Sequence, residues 1–484
     1  MNKPSGAGRG VLYLTISKFY FILAGYAIFF GLPRLLGEEL FGLFAIINSI
    51  VAILNAALVY GTIQMVSKFV SQEEEHGGAV LKSALKLQVA VGGSIFAAYY
   101  FSAPLIARCH NDPDLVPFLR LSSLIVICYA FYAIYMGYIN GRKKFGLQAT
   151  LDMSYSTLKM LFMLSLAAVG FGAAGAIGGF AIAAFVLLVI AVIVCGGRQA
   201  GGFVRTIELF RFEAFIIVFT LITNLLLQTD LQLIKMRPPQ ALVGVSSYTL
   251  VAHYAAAQRL AFIPYQAIIA ITFVLFPYVS RLTFIDDRAR LVEYIREALR
   301  YSLIILIGIG VLFATNSEGI IRLIFPSGYE AAAPALSLLV FGIVFFSILY
   351  INATIISGSG KPAHSFLLAF GTWVIDAILN YNLIPRYGMM GAAFSTTTAM
   401  LCGLAGSALY VRLKFGTYLP LVSALRICAA GAAVGAISLM LPCAGLAILA
   451  KLAVLSLAYV TFLFLLRELD GDDIARIRTT LLGR

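Results

Sequence analysis

Six charged side chains of this 484-residue chain lie deep inside apolar stretches of the sequence: Lys18, Asp152, Lys159, Asp230, Arg259 and Asp376. A charge at the centre of a bilayer costs about 2.5–3.5 kcal/mol, so each of them needs a water-filled cavity or a partner of opposite charge. Three cations can bind phosphate oxygens, and three carboxylates can take up a proton or a sodium ion. The alternative is structural, because the cations and carboxylates could simply pair with one another.

Polar residues also form stripes along the faces of predicted helices, because residues three or four positions apart share one face. The stripes are Asp152, Tyr155 and Lys159; Thr372, Asp376 and Asn380; Asn224, Gln228 and Gln232; and Asn48, Asn55 and Thr62. Amides and tyrosines of this kind can meet sugar hydroxyls. We predict a polar central cavity whose candidate substrate-binding residues are Lys18, Asn55, Tyr155, Lys159, Gln228, Arg259 and Asn380. The candidates for ion coupling are Asp152, Asp230 and Asp376.

Composition predicts an all-α polytopic membrane protein. Hydrophobic residues make up 61% of the chain and charged residues 12%, against about 25% charged residues in soluble domains. Long apolar runs recur along the whole length, and helices satisfy their own backbone in lipid. We count fourteen transmembrane helices, at about 11–32, 41–67, 81–107, 115–140, 146–170, 173–195, 213–236, 246–280, 298–325, 331–357, 363–385, 389–413, 420–441 and 444–466.

Charge placement predicts the orientation, because cytoplasmic loops of membrane proteins are enriched in Lys and Arg. With the amino terminus inside, 23 of the 35 basic residues fall in predicted inner segments and 7 in outer ones. Both termini are therefore predicted to be cytoplasmic. The same bias accounts for most of the net charge of +13 without a nucleic acid partner. The six cysteines have no motif spacing, so we predict no metal site and no cofactor.

A repeated motif indicates that the chain is built twice. Gly172, Gly175 and Ala176 recur as Gly388, Gly391 and Ala392, each set closing a group of six spans. Two further matches are Gly37 with Gly244 and Gly141-Arg142 with Gly360-Lys361. We predict two six-helix lobes in a parallel pseudo-twofold repeat, 1–212 and 213–415, followed by two extra helices and a cytoplasmic tail in 416–484. Lys18, Lys159 and Arg259 show no charged counterpart in the other copy, which predicts an asymmetric cavity.

Several of these segments resemble a known family. RLLGEELFGLFAI at 34–46, D-x-x-L-I-K at 230–235, VGVSSYTLVAHYAAAQRLAFIP at 243–264 and LNYNLIPRYGMMGAAFSTTTA at 379–399 resemble the polysaccharide-transport branch of the multidrug/oligosaccharidyl-lipid/polysaccharide exporter superfamily. The resemblance covers roughly residues 10–415 and implies a transporter, not an enzyme, that works by alternating access. The implied cargo is an undecaprenyl-pyrophosphate-linked oligosaccharide, moved from the cytoplasmic to the outer leaflet of the bacterial inner membrane.

The resemblance also implies partners and an energy source. A proton or sodium gradient or the membrane potential would drive transport, polysaccharide polymerases and glycosyltransferases would be partners, and the protein would be a monomer. Two related cargoes stay open. A lipid II flippase would carry several arginines in its first two spans, where this chain has only Lys18 and Arg34. A cation-coupled multidrug antiporter would have twelve spans and an acidic cavity. A membrane enzyme such as a glycan polymerase would have a large outer loop.

Overall fold

The structure is a computed structural model that describes residues 6–72, 77–195, 206–239, 244–443, 445–471 and 473. Within these ranges the regular structure is helical. The α-helices are α1 (Gly6–Asn55), α2 (Gly61–Gln72), α3 (Gly77–Cys109), α4 (Leu115–Gly141), α5 (Phe145–Leu166), α6 (Gly172–Cys195), α7 (Thr206–Leu226), α8 (Thr229–Met236), α9 (Ser247–Ala261), α10 (Ile263–Phe284), α11 (Arg288–Thr315), α12 (Ser317–Ile324), α13 (Ala333–Gly358), α14 (Pro362–Phe415), α15 (Leu421–Met440) and α16 (Ala447–Leu465). Short π-helical turns at Ala56–Tyr60 and Ala167–Phe171 link α1 to α2 and α5 to α6.

Ten helical stretches among the described residues are long and apolar enough to cross a membrane. Three of them, Leu12–Gln72, Phe145–Cys195 and Pro362–Phe415, have 61, 51 and 54 residues. A crossing takes about 20 residues, so each of these three holds two crossings. The consecutive helices α9 and α10 lie at the eighth predicted span, outside these ten stretches, and the count of fourteen stays a prediction. The predicted all-α polytopic fold is confirmed.

The chain divides into two compact units. The first comprises Met1–Met236 and Gly244–Ala252, and the second comprises Arg237–Val243 and His253–Arg484. In the first unit α4 packs against α2, α3 and α6, and α7 packs against α2. In the second unit α13 packs against α10, α11 and α14, and the extra helices α15 and α16 pack on α11. The predicted lobe boundaries at 212 and 415 stay a prediction. The division between the two compact units falls between residues 236 and 253.

The repeated glycines end one helix and begin the next with nearly the same backbone geometry. Gly172 has φ 55° and ψ −141°, and Gly388 has φ 57° and ψ −133°. A methyl group built on Gly175 would lie 2.7 Å from the carbonyl oxygen of Leu166, and one built on Gly391 would lie 2.5 Å from that of Leu383. Both turns therefore require glycine for the left-handed conformation and for the close approach of two helices.

The loop before α5 and the loop before α14 align the two copies at an offset of 217 residues. Lys143 and Lys144 donate backbone hydrogen bonds to Asn140 and Ile139 at 2.8 and 3.1 Å. The residues 217 positions later, Gly360 and Lys361, donate to Ser357 and Ile356 at 3.0 and 3.2 Å.

Lys143 and Gly360 are also both left-handed, at φ 57° and 83°. The predicted match of Gly141 with Gly360 is therefore wrong by two residues, because sequence alone aligned the glycines and the fold aligns the left-handed positions. The offset falls to 216 after the π-helical turn at Ala167–Phe171, which holds the one extra residue of the first copy.

Candidate functional site

In the first unit, Lys159 lies within an aromatic cluster. Its ammonium nitrogen is 3.7 Å from the ring centroid of Phe180 on α6 and 5.9 Å from that of Tyr155, one turn earlier on α5. Tyr129 on α4 contacts both rings, with centroids 5.2 Å from Tyr155 and 6.0 Å from Phe180. An ammonium over aromatic faces is stabilised by the ring quadrupoles. This arrangement holds a cation in an apolar bundle, and phosphate binding by Lys159 stays a prediction.

Close packing of α5 and α6 creates this cluster. A methyl group built on Gly179 would lie 2.5 Å from the carbonyl oxygen of Phe162. Because Gly179 has no side chain, α6 approaches the backbone of α5 closely, and the neighbouring Phe180 comes within reach of Lys159. Tyr155 is 5% exposed, so its phenol is packed inside the cluster and not presented to water.

Lys18 and Asp152 form an ion pair between α1 and α5. The ammonium nitrogen and a carboxylate oxygen are 3.0 Å apart, with side-chain exposures of 59% and 15%. The Tyr20 hydroxyl lies 2.7 Å from that of Thr157 beside them. For Lys18 and Asp152 the structure therefore shows the structural alternative, in which the two charges pair with each other.

In the second unit, Asp376, Asn380 and Thr396 meet in a fully buried polar cluster, each at most 2% exposed. The Asn380 amide donates to a carboxylate oxygen of Asp376 at 2.8 Å and reaches the Thr396 hydroxyl at 3.4 Å. Thr396 is 16 residues from Asn380, so α14 must fold back on itself at Gly388 to bring them together. The carbonyl oxygen of the Asn380 side chain has no hydrogen-bond partner.

The Asn380 amide nitrogen faces both Asp376 and Thr396, so the amide acts here as a donor that orients the carboxylate. Carboxylate and hydroxyl oxygens are ligands that hard cations prefer, and a carboxylate can also bind a proton. Within the described residues, no group of three or more His, Cys, Asp or Glu side chains could hold a metal ion. The coupling role of Asp376 stays a prediction.

The repeat relates the two clusters. At the offset of 217 residues, Lys159 corresponds to Asp376, and at the later offset of 216, Phe180 corresponds to Thr396. The expectation that Lys159 has no charged counterpart is therefore wrong, because the counterpart carries the opposite charge. One pseudo-equivalent position holds a cation over a ring, and the other holds a carboxylate beside a hydroxyl and an amide.

The remaining candidates lie elsewhere. Asn55 ends α1 at the π-helical turn, and its side-chain carbonyl oxygen has no hydrogen-bond partner. Gln228 is half-buried between α7 and α8, and Arg259 is half-buried on α9. Asp230 is 1% exposed and accepts a hydrogen bond from the backbone N–H of Leu231 at 2.7 Å in the first turn of α8. These four keep their proposed roles as predictions.

The sequence did not predict one buried carboxylate, that of Glu213. Glu213 is 0% exposed and accepts a hydrogen bond of 2.6 Å from the Thr62 hydroxyl. The apolar run predicts a seventh span that starts at Glu213. A charge at the end of a span lies near the membrane surface, so it did not indicate a buried site. The helix in fact begins at Thr206, which puts Glu213 two turns inside it. Phe180 and Thr396 were missed as well, and the correct repeat register is the signal that connects them.

Comparison with known structures identifies the class of fold. The chain is similar to a structure described as lipid II flippase MurJ in an inward closed conformation, with a TM-score of 0.76 and 16% identity over 98% of this chain and 100% of that one. It is also similar to an inward-facing multidrug resistance MATE family transporter of the MOP superfamily, with a TM-score of 0.68 and 15% identity over 84% and 98% of the two chains. The predicted superfamily resemblance is confirmed at the level of the fold.

Sequence comparison then identifies the family. A family model described as polysaccharide biosynthesis protein matches residues 32–334, and the chain belongs to this family. Two uncharacterized membrane proteins are similar to it. MJ1068 of Methanocaldococcus jannaschii is 34% identical over 25% of this chain and 24% of its own length. YabM of Bacillus subtilis is 24% identical over 70% and 66%. The chain thus spans about a quarter of the first and just under two thirds of the second.

Proposed function

We propose that this protein is a flippase that moves an undecaprenyl-pyrophosphate-linked oligosaccharide from the cytoplasmic to the outer leaflet of the bacterial inner membrane by alternating access. The family description and the transporter fold support this proposal. The observation that carries it is Lys159, a membrane-embedded cation held by Phe180 and Tyr155 inside the first unit.

Lys159 is the proposed phosphate ligand of the first unit. The aromatic rings stabilise the ammonium inside the bundle before cargo arrives. A hydrogen bond to a charged group contributes about 1.5–3 kcal/mol. Two such bonds from one ammonium would supply several kcal/mol, which suits a dianionic pyrophosphate. Arg259 is the proposed phosphate ligand of the second unit, and Asn55 and Gln228 are proposed contacts to sugar. Asn380 is fully buried and donates to Asp376, so its proposed role is to orient that carboxylate and not to contact sugar.

Ion coupling is proposed at Asp376. In its cluster, Asn380 holds the carboxylate in place, and Asp376 and Thr396 supply a carboxylate and a hydroxyl oxygen as candidate ligands for sodium, with the carboxylate as the candidate for a proton. Asp230 is the second candidate because it is equally buried, and Asp152 is the third, with its pairing to Lys18 counting against it.

Lipid II is the alternative cargo, favoured by the full-length similarity to MurJ. Both cargoes present a pyrophosphate to Lys159, so they differ in the group that the pyrophosphate carries. A multidrug cation is disfavoured, because an embedded ammonium repels a cationic drug. Orientation, the monomeric state and partnership with a polymerase or glycosyltransferases remain predictions.

The test is flipping by purified protein in proteoliposomes. Lys159→Met keeps an unbranched side chain over Phe180 and removes the charge. We expect it to lose at least tenfold in initial rate with an undecaprenyl-pyrophosphate-linked oligosaccharide, while its melting temperature stays near that of the parent. Lys159→Arg should retain measurable flipping. Lys451→Met, which removes another membrane-embedded lysine on α16, is the matched control and should flip normally.

Three results would count against the proposal. Parent-like flipping by Lys159→Met would exclude Lys159 as the phosphate ligand. Flipping of lipid II but not of the oligosaccharide carrier would select the alternative cargo. Transport of an organic cation with neither lipid moved would select the antiporter.

A further inference from the structure

His110 makes hydrogen bonds from both ring nitrogens at the end of α3. Its Nδ1 lies 2.8 Å from the backbone carbonyl oxygen of Ile106, and its Nε2 lies 2.6 Å from the side-chain carbonyl oxygen of Gln232 on α8. The residue is 2% exposed. The ring therefore joins the end of α3 to a helix more than a hundred residues later in the chain.

The neighbours of Gln232 determine which atom of its amide faces His110. The Ser49 hydroxyl donates to the carbonyl oxygen of Ile46 at 2.8 Å, so it can only accept from Gln232. The amide nitrogen of Gln232 therefore points to Ser49, and its carbonyl oxygen points to His110. A backbone carbonyl such as that of Ile106 can only accept as well. Both nitrogens of the His110 ring thus face acceptors.

A neutral imidazole carries one N–H, and only the imidazolium carries two. We propose that His110 is a proton-binding site, and that its protonated form latches α8 to the end of α3. The inference goes beyond the proposed function, because it requires neither a cargo nor the coupling ion. The site lies at the predicted outer end of the bundle, so the proton would come from the predicted outer side.

A second set of contacts beside His110 centres on Asp112. Asp112 forms an ion pair with Lys235 at 3.2 Å and accepts a hydrogen bond from the Tyr248 hydroxyl at 2.5 Å. Partial burial raises the pKa of Asp112, but the hydrogen bonds from Tyr248 and Lys235 outweigh it, so the pKa lies below its usual value. Asp112 therefore remains ionised wherever histidines titrate, and His110 is left as the pH-dependent part of the latch.

Other ionisable side chains belong to the segments that these contacts join. They are Arg108 and Cys109 on α3, Asp112 and Asp114 in the following turn, Asp230 and Lys235 on α8, and Tyr248 on α9. The stretch of α1 that contacts Gln232 contributes none, since residues 40–59 contain no ionisable side chain. Histidine is the side chain that changes charge between about pH 5 and 8.

The direction of the pH effect follows from the number of N–H donors on the His110 ring. At acidic pH the imidazolium makes both bonds and the latch is closed. As the pH rises the ring loses one N–H, and a lone pair then faces a buried acceptor. A buried polar group left unsatisfied shifts an equilibrium on the order of tenfold. Measured at about pH 5.5 and at about pH 8, on either side of the range in which histidine side chains change charge, the closed-to-open ratio should differ about tenfold.

The experiment uses the full-length protein in liposomes without cargo. Cys109 is exposed and adjacent to His110, so it can carry a bimane fluorophore once the other five cysteines are replaced. Met236→Trp places a short-range quencher at the end of α8, where the backbone carbonyl of Met236 accepts a hydrogen bond from Asn111 at 3.1 Å. Quenching then reports the closed latch. The same labelled protein without Met236→Trp corrects for direct effects of pH on the dye.

Strong quenching at the acidic pH that falls at the alkaline pH is the expected result. His110→Gln should remove this dependence, and Gln232→Glu should keep the latch closed to higher pH by pairing a carboxylate with the imidazolium. His253→Gln is the matched control and should behave like the parent. Quenching that does not change with pH in the parent overturns the proposal, as does an unchanged response in His110→Gln or in Gln232→Glu. None of these outcomes depends on whether a lipid-linked sugar is the cargo.

Discussion

Replacing Asp376 with Asn tests the coupling site most directly, because it removes a charge and little else. The side chain is fully buried and accepts a hydrogen bond of 2.8 Å from the Asn380 amide. An Asn at position 376 has nearly the same shape and can still accept that bond. The change therefore removes the ability to bind a cation or a proton while leaving the fold of α14 in place.

The magnitude follows from linkage. An ion that binds only the folded state stabilises it by about 2.7 kcal/mol when present at a hundred times its dissociation constant. One kcal/mol shifts the melting temperature of a domain of about 150–250 residues by roughly 2–4 °C. The second unit is of this size. Saturating ion should therefore raise the melting temperature of the parent by about 5–11 °C, and that of Asp376→Asn by none.

The unfolding of the second unit can be followed separately by its fluorescence. Trp373 is the only tryptophan of the chain and lies on α14 one turn before Asp376. Intrinsic fluorescence during heating therefore reports the unfolding of the helix that carries the site. Sodium is titrated against choline at constant ionic strength, and a separate series varies pH without sodium, so that the two coupling ions are distinguished.

Two variants show whether the effect is local. Asp230→Asn removes an equally buried carboxylate in the first unit and should retain the full ion-dependent shift. Thr396→Val replaces one proposed oxygen ligand by a methyl group and should weaken the sodium response but spare a proton response. An ion-dependent shift that survives in Asp376→Asn, or that disappears in Asp230→Asn instead, refutes the assignment.

Two further predictions concern the frame around the sites. Gly391→Ala should lower the stability by about 1–3 kcal/mol, because its methyl group would lie 2.5 Å from the carbonyl oxygen of Leu383. Gly371→Ala on the same helix meets nothing within 4 Å and should be neutral or stabilising in the same thermal assay. At the other end of the second unit, Asp473 pairs with Arg300 at 2.9 Å, and although burial raises its pKa, hydrogen bonds from Tyr301 and Arg300 lower it below the usual value. The tail contact should therefore be present above about pH 4 and be lost as the pH falls further. Limited proteolysis of the tail at neutral pH should be several-fold faster in Asp473→Asn, and equal rates would contradict the contact.

The sequence predicted the helices well because their signal is physical and repeated. A span needs about 20 apolar residues, and the helix breaks at Gly172 and Gly388 need a residue tolerant of positive φ. These requirements leave the same marks wherever they occur, so the crossings and the repeat could both be predicted.

Side-chain partners were harder to predict, because contacts between helices depend on register. Lys18 and Asp152 are 134 positions apart, and nothing in their local sequence favours pairing over exposure to a cavity. The match of Gly141 with Gly360 placed the second copy two residues out. That error was enough to hide the correspondence of Lys159 with Asp376.

Glu213 shows a different limit. Hydropathy locates the apolar part of a helix, and here α7 begins seven residues before the apolar run does. His110 was beyond sequence reasoning for a third reason. Its two bonds are informative only once the hydroxyl of Ser49 fixes the orientation of the Gln232 amide, and that chain of contacts spans three separate helices.

The opposite charges at Lys159 and Asp376 bear on the choice between binding and structural pairing. If these charges served only to neutralise each other, their surroundings within each unit could be alike. Instead the neighbouring position changed together with the charge. Phe180 offers a ring face to an ammonium, and Thr396 offers a hydroxyl oxygen beside a carboxylate. Helix hairpins with nearly the same glycine turn carry both positions. Since the charge and the residue beside it differ between the two copies, we expect the two sites to favour ions of opposite sign.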